Sequence, residues 1–318
     1  MRLRYYMITV AALATAVVAG LAIGAAARRG PVATPVQGGS DAADERNREL
    51  AEELARLDGE LADSERLAEQ LAPGLIGGRM TGRSVVIVAT AAASADVAGV
   101  EAMLGAGGAT VAGRLELTDQ FLDPRRRDDL LELAVAARPP AFTGGRPATT
   151  DGVVATGALL AVVLGRGTPG IADDGRRGVL GAYVSQGFLT GRSGVSGAAD
   201  AFVVLAGTRA DAALVTLATT LGATGTAVLA GSGADPASAV GQLRADGASA
   251  AKVSTVDNLA TPQGKLATAW ALADQLAGKV GHYGTGPGAA AALPPTRPSA
   301  QPSPSAVPSP EPPPAPVG

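Results

Sequence analysis

Several residue types on which protein chemistry depends are scarce in this sequence. Its 318 residues include no cysteine and a single histidine, and aromatic residues make up 3% of the chain. The lack of cysteine excludes a disulfide framework, a thiolate zinc site, an iron–sulfur cluster and a cysteine nucleophile. One histidine excludes a multi-histidine metal cage. A net charge of −3 and few aromatic rings argue against nucleic-acid binding, which needs basic surface and stacking platforms.

The first forty residues lack acidic side chains and contain a long uncharged run, residues 7–27, which lies between two pairs of arginines. A helix of this length crosses a hydrocarbon core of roughly 30 Å. We predict a membrane anchor over residues 1–29. A signal peptide cleaved after residues 25–27 is the alternative. The basic residues favour a cytoplasmic N-terminus and a C-terminal domain outside the cytoplasm.

A linker rich in proline and glycine, residues 30–40, precedes a charged segment with a leucine repeat. Over residues 41–73, apolar residues recur at alternating spacings of three and four, and Pro73 is predicted to end the helix. This pattern predicts a coiled coil that joins chains as a homo- or hetero-oligomer. The alternative is an amphipathic helix packed on its own domain. The residues predicted to contact the partner helix are Asn47, Leu50, Leu54, Leu57, Leu61 and Leu71.

Beyond residue 75, short apolar runs alternate with helical segments. The predicted strands cover residues 84–90, 110–117, 201–206, 227–230 and 252–256. The predicted helices cover residues 94–105, 121–137, 153–164, 208–221, 235–245 and 261–280, with Thr261 as N-cap of the last, and residues 178–190 are ambiguous. This alternation indicates a Rossmann-like α/β domain with a mostly parallel sheet over residues 75–284. The tail, residues 285–318, is rich in proline, alanine and serine and is predicted to be disordered.

No combination of residues predicts catalysis, so we expect a protein that is not an enzyme. Residues 77–84 match a phosphate-binding loop in spacing only, because an arginine replaces its lysine and the glycines precede a strand. His282 has no serine elbow with which to form a triad. Asp257 and Asn258 follow a predicted strand and are the best polar pair for a ligand crevice. An Asx turn leading to Thr261 is the alternative. Neither a metal-ligand cluster nor a bound cofactor is predicted.

The sequence resembles one family, the mycobacterial copper transport protein B (MctB) family of actinobacterial envelope proteins. The resemblance covers about residues 3–284. It is carried by the N-terminal span with its flanking arginines, the leucine-spaced helix, the apolar strand 85–90 and the stretch 253–284. Within that stretch, the candidate ligand or family-motif residues are Asp257, Asn258, Thr261, Gly264 and Tyr283.

This resemblance implies a membrane-associated envelope protein that acts in copper transport or copper homeostasis, with an outer-membrane location. Copper as a ligand is implied by the resemblance alone, and the family carries no catalytic residue set to transfer. Other members are linked to cell separation through partners that act on peptidoglycan hydrolases. A membrane-anchored coiled-coil scaffold is therefore the alternative hypothesis. A third hypothesis is an α/β ligand-binding module that uses the crevice at Asp257 and Asn258.

Overall fold

A computed structural model of the protein describes residues 37–139, 149–167, 171–209, 211–233 and 235–295, with side chains from residue 45 onward. The chain divides into two compact units, residues 1–59 and residues 60–318. The predicted membrane anchor lies outside the described residues. Within the described ranges, none of the helices combines the length and the apolar character that a bilayer crossing requires.

The first described element is a long helix, α1, which extends over Gln37–Ile76. It begins inside the predicted linker and passes through Pro73, which the sequence predicted as its end. Proline removes one hydrogen bond from a helix interior. The last turn nevertheless closes, because the N–H of Gly77 donates to the carbonyl of Pro73 at 3.0 Å. The helix continues past Pro73 because Ala72 and Ile76 are fully buried in the hydrophobic core.

Seven strands form one sheet among the described residues. They are β1 Ser84–Thr90, β2 Thr110–Leu117, β3 Gly194–Val195, β4 Ala201–Ala206, β5 Thr226–Gly231, β6 Ser254–Val256 and β7 His282–Tyr283. Their order across the sheet is β3-β2-β1-β4-β5-β6-β7, and all neighbours are parallel except β2 and β3. The predicted α/β class with a mostly parallel, Rossmann-like sheet is therefore confirmed. The edge strands β3 and β7 were not predicted, because two residues carry no recognisable periodicity.

Nine further α-helices follow α1 in the described part of the chain. They are α2 Val97–Ala106, α3 Asp119–Leu122, α4 Arg127–Ala136, α5 Gly152–Leu164, α6 Asp173–Ser185, α7 Ala212–Thr224, α8 Ala239–Ala245, α9 Gly247–Ala250 and α10 Pro262–Leu276. Side chains cap several of them, since the oxygens of Asp151, Asp211, Ser238 and Thr261 accept first-turn N–H groups of α5, α7, α8 and α10. The predicted N-cap role of Thr261 is confirmed.

The predicted helices 94–105, 208–221 and 261–280 are shifted by three or four residues at one or both ends, and two others differ for a clear local reason. The predicted helix 121–137 is interrupted, because Asp123 is held in an extended conformation before Pro124, and a 3-10 turn over Pro124–Arg126 then leads into α4. The predicted helix 235–245 begins only at α8, since Ser238 caps it and the residues before Ser238 form a turn. The ambiguous segment 178–190 is helical in its first half, where it belongs to α6.

Both faces of the sheet are buried, and β1 shows this directly. Val86 and Val88 belong to a first hydrophobic cluster with side chains of α4, α5, α6, α7 and α8. Val85 and Ile87 belong to a second cluster with side chains of α1, α2 and α10. A strand buried on both faces consists of a continuous apolar run, and this is why residues 84–90 were recognisable in the sequence.

The C-terminal part of α1 is an integral part of the second cluster. Ala68 is buried in it, whereas Leu71 of the same helix is 51% exposed. Lys265 of α10 is buried, and its Nζ lies 2.7 Å from Glu65 Oε1 of α1 and 3.7 Å from Asp96 Oδ1. Burial raises the pKa of Asp96, and the ammonium of Lys265 opposes that shift. The alternative interpretation of the leucine helix, packing on its own domain, thus applies to the end of α1.

The folded body continues to Pro295, past the predicted boundary at residue 284. The N–H of Gly284 donates to the carbonyl of Ala291 at 2.9 Å, and the N–H of Ala290 donates to the carbonyl of His282 at 2.8 Å. These bonds fold the segment back onto β7. The prediction began the disordered tail too early, because composition alone does not show long-range hydrogen bonds. The remainder of the predicted tail lies outside the described residues.

Candidate functional site

The predicted crevice residue Asp257 lies directly after β6 and is buried, with no exposed side-chain surface. Its carboxylate accepts three hydrogen bonds. They come from the Nη1 of Arg244 at 2.7 Å, the N–H of Thr285 at 2.7 Å and the N–H of Gly286 at 3.0 Å. A buried carboxylate with an arginine and two backbone donors is fully engaged by the protein itself.

Arg244, at the end of α8, completes this arrangement. Besides Asp257, its guanidinium donates to Thr255 Oγ1 at 2.8 Å, to the carbonyl of Tyr283 at 2.7 Å and to the carbonyl of Pro287 at 3.0 Å. The planar guanidinium thereby joins β6, β7 and the segment that follows β7. We call this group, Arg244 and Asp257 with the backbone of residues 283–287, the Arg244–Asp257 clasp.

Two glycines of the family motif are explained by close approaches of the backbone. At Gly284, φ is +129°, and a Cβ would overlap the carboxylate of Asp257. At Gly264 in the first turn of α10, a Cβ would overlap the carbonyl of Asn258. Any larger residue at either position forces the backbone apart. Gly264 therefore has a packing role, and no contact observed here assigns it a ligand.

Asn258 and Thr261 form the turn that leads into α10. The Oγ1 of Thr261 donates to the carbonyl of Asn258 at 2.8 Å and accepts the N–H of Gly264 at 3.0 Å. The Nδ2 of Asn258 also donates to Thr261 Oγ1, at 3.2 Å. The turn is therefore held by the hydroxyl of Thr261, whereas the Oδ1 of Asn258 is buried and accepts no hydrogen bond within the described residues, so Asn258 does not form the Asx turn that was the alternative prediction.

The structure thus brings the five motif residues together, but not around an open crevice. Tyr283 is 8% exposed and packs in the second hydrophobic cluster, and burial raises the pKa of its hydroxyl. Asp257 is enclosed by the clasp. The described structure shows no open crevice at Asp257 and Asn258, and their role in binding a ligand stays a prediction. In a doubly wound sheet the crevice opens where the strand order reverses, and β6 lies away from that point.

His282, the one histidine of the chain, is half-buried in β7 beside the clasp. Its Nδ1 lies 2.9 Å from Thr255 Oγ1. Burial lowers the pKa of His282 below its ordinary value of 6.5, and the positive charge of Arg244 lowers it further. Helix α10 ends at Leu276, and His282 lies in the edge strand β7 that follows.

The predicted partner-contacting residues lie on α1 and are exposed to solvent. The exposed fraction is 40% for Leu50, 61% for Leu54, 38% for Leu57, 45% for Leu61 and 51% for Leu71, and Asn47 is also exposed. Ion pairs occupy other positions of the helix, including Arg48 with Glu45. Exposed leucines that no other described residue covers are available for contact with another molecule.

The described residues offer copper no clustered ligand set. Among them, no three side chains of histidine, cysteine, aspartate or glutamate converge as a metal site would require. Thioethers are an alternative for copper(I), but Met80 and Met103 are buried in the second hydrophobic cluster.

Sequence reasoning missed a cavity within the described part of the fold. A cavity of about 570 Å³ lies at the carboxyl ends of β1 and β4, with Thr90, Gly207, Arg209 and Asp211 in its wall. The signal that identifies it is the strand order, because β1 has its chain neighbours on opposite sides. That order was not readable from hydrophobic periodicity, which locates strands but not their neighbours.

The family is decided by comparison with known sequences. Residues 1–294 match the family described as "Copper transport outer membrane protein, MctB". The chain belongs to this family. A Mycobacterium tuberculosis (strain ATCC 25618 / H37Rv) protein named "Copper transporter MctB" is 30% identical over 259 residues, which cover 76% of this chain and 82% of the relative. A Mycobacterium leprae (strain TN) protein of the same name is 30% identical over 246 residues, or 71% and 78%.

The clasp predicts a large loss of stability when its charge is removed. Asp257→Asn keeps the shape of the side chain but leaves Arg244 buried without a counter-ion. We expect it to lower the free energy of unfolding by about 3–5 kcal/mol, measured by urea denaturation of the full chain through the fluorescence of Trp270. The control is Asp174→Asn, which removes an exposed ion pair with Arg177 and is expected to change nothing measurable. Equal midpoints for both variants would contradict the clasp.

His282 predicts a pH dependence of stability. Its folded-state pKa lies below the unfolded value, so the unfolded chain binds the extra proton more readily. The contribution of neutral His282 is complete above pH of about 6.5 and decreases as the pH falls from there toward the folded-state pKa. We expect urea midpoints to decrease on acidification through this window in the wild-type chain. His282→Gln should flatten that part of the profile, and an unchanged slope would show that another group is responsible.

Proposed function

We propose that the protein acts in copper transport or copper homeostasis as a membrane-anchored protein of the cell envelope. The observation that carries this proposal is the extent of the family match, residues 1–294. That range takes in the uncharged N-terminal span, the leucine helix and the whole α/β body. Relatives from two mycobacterial species are named copper transporters, and the aligned region covers about four fifths of their length.

Residues 7–27 are proposed as the attachment to the membrane. They are uncharged, long enough for a bilayer core, and bounded by arginines that stay at the polar interface. The first forty residues contain no acid, whereas the remainder of the chain is acidic overall. This distribution supports a cytoplasmic N-terminus and an extracytoplasmic α/β domain.

In this proposal the described part of the chain handles copper without holding it as a resident ion. Its residues provide no cluster of metal ligands, and the clasp already uses the carboxylate that follows β6. The motif residues likewise have structural contacts in place of catalytic ones, which supports a non-enzymatic role. The scaffold hypothesis for cell separation receives less support, because the relatives are named for copper transport.

We also infer that chains associate through α1. Five leucines at the predicted seam are exposed, and burying them against a second helix removes this apolar surface from water. Charged residues on the remaining positions keep the helix soluble while one stripe is covered. Association beside a membrane is also favoured, because anchoring raises the effective concentration of the helices.

A deletion strain tests the copper role. We expect cells that lack the gene to accumulate more copper and to grow less well in copper-supplemented medium than the parent. The wild-type gene supplied in trans should restore both properties. Accumulation of zinc, measured in the same samples, is the control and should not change. Equal copper content and equal tolerance in the two strains would refute the proposed function.

Two matched double variants test association through α1. Leu54→Asp with Leu61→Asp places charge on the leucine stripe and should convert the detergent-solubilised full chain from an oligomer to a monomer in sedimentation. Ala55→Asp with Ala62→Asp adds the same charges at the same spacing, one position away on the exposed helix surface. This control should leave the oligomer intact. A monomeric wild-type chain, or equal dissociation by both double variants, would refute association through the leucine stripe of α1.

A further inference from the structure

The cavity at the carboxyl ends of β1 and β4 lies where ligands bind in open α/β sheets. From β1 the chain first moves to β2 on one side and later to β4 on the other, so the loops after β1 and β4 diverge. Divergence of these loops leaves a crevice above the two strand ends. The cavity, of about 570 Å³, is in the size range of pockets for small molecules.

The floor of this cavity contains a polar group with no partner. Thr90 ends β1, is 5% exposed, and its Oγ1 is buried without any hydrogen bond in the described structure. Side chains alternate along a strand, so Thr90 shares the face of Val86 and Val88. That face carries α4 and α7, whose residues also line the cavity. A buried hydroxyl without a partner is unfavourable, and a ligand oxygen in the cavity would supply the missing bond.

The wall of the cavity supplies two guanidinium groups. Arg209 follows β4, is exposed, and makes no hydrogen bond or ion pair within the described residues. Arg127 begins α4 and pairs with Asp151 at 2.7 Å. Both arginines line the cavity together with Asp211. Arg209 is the more exposed of the two.

The acidic residues of the wall limit which anion fits. The carboxylate of Asp211 accepts the N–H groups of Ala213 and Leu214 and so caps α7. These N–H groups at the N-terminus of α7 are therefore not available to bind a phosphate, as they are in nucleotide sites of this fold. The segment after β1 is a 3-10 helix over Ala91–Asp96, without the glycines that admit a pyrophosphate. Asp119 and Asp123 further disfavour a dianion. A single carboxylate on a small molecule matches two arginines and one hydroxyl.

We propose that this cavity binds a small organic carboxylate, whose charge pairs with Arg209 and Arg127 and one of whose oxygens accepts the Thr90 hydroxyl. The apolar part of the ligand packs against Leu122 and Pro124 of the wall. Binding at this position connects α4 and α7 across the end of the sheet. The proposal does not depend on copper, and its failure would leave the proposed function unaffected.

The test is thermal unfolding of the full chain in detergent, followed through the fluorescence of Trp270. The probes are sodium lactate and sodium butyrate, each with a single carboxylate, with sodium phosphate as the phosphate arm and sodium chloride at equal ionic strength as the reference. We expect a carboxylate probe to raise the midpoint by about 3 °C over chloride. Phosphate is expected to raise the unfolding midpoint only by the general stabilisation that salts excluded from the protein surface produce.

Three variants separate binding from such general effects. Thr90→Val keeps the shape of the side chain and removes the orphaned hydroxyl, so the unliganded midpoint should stay the same or rise while the carboxylate shift is lost. Arg209→Gln should also lose the shift. Arg177→Gln, a matched exposed arginine on α6 outside the cavity, should retain it in full. The proposal is overturned if no carboxylate exceeds chloride, if only phosphate does, or if the shift persists unchanged in Thr90→Val and Arg209→Gln.

Discussion

A parallel sheet has apolar side chains on both faces, and covering both faces is the constraint on which the rest of this fold depends. Helices that connect the strands cover the first face completely. On the second face, α2 and α10 are joined by the end of α1, whose Ala68, Ala72 and Ile76 are buried there. The C-terminal end of α1 is thus needed to cover the second face of the sheet. Its small alanine side chains permit a close approach between this helix and its neighbours in the cluster. Leu61, Leu67 and Leu71 of the same helix are exposed, whereas Leu75 packs against the second cluster.

The Arg244–Asp257 clasp shows why a family motif need not be a functional site. Asp257, Tyr283 and Gly284 lie close together because a buried ion pair needs several hydrogen bonds to offset its desolvation. The carboxylate is satisfied by the arginine and by two N–H groups of the returning chain. These bonds order a segment whose composition alone would suggest disorder. The motif residues thus hold β7 and the segment after it against β6, at the edge of the sheet.

The sequence predicted the elements more readily than their arrangement. Strands such as β1 and β4 are continuous apolar runs, and Thr261 with Pro262 marks a helix start by local chemistry. The order of strands in the sheet depends on residues that are distant in sequence, so the sequence did not reveal the cavity at Thr90 and Arg209. A ligand site was instead predicted at Asp257. The sequence also did not predict that α1 continues through Pro73. The burial of Ile76 in the tertiary structure stabilises the last turn by more than the proline destabilises it. The family resemblance rested on the C-terminal stretch and is confirmed.

Both edges of the sheet end in strands of only two residues, β3 and β7. An edge this short presents few unpaired N–H and C=O groups to a neighbouring molecule. Neighbouring copies of the chain therefore have little opportunity to join their sheets into a continuous ribbon. Misassembly through the backbone is suppressed without any cost to the packing of the core.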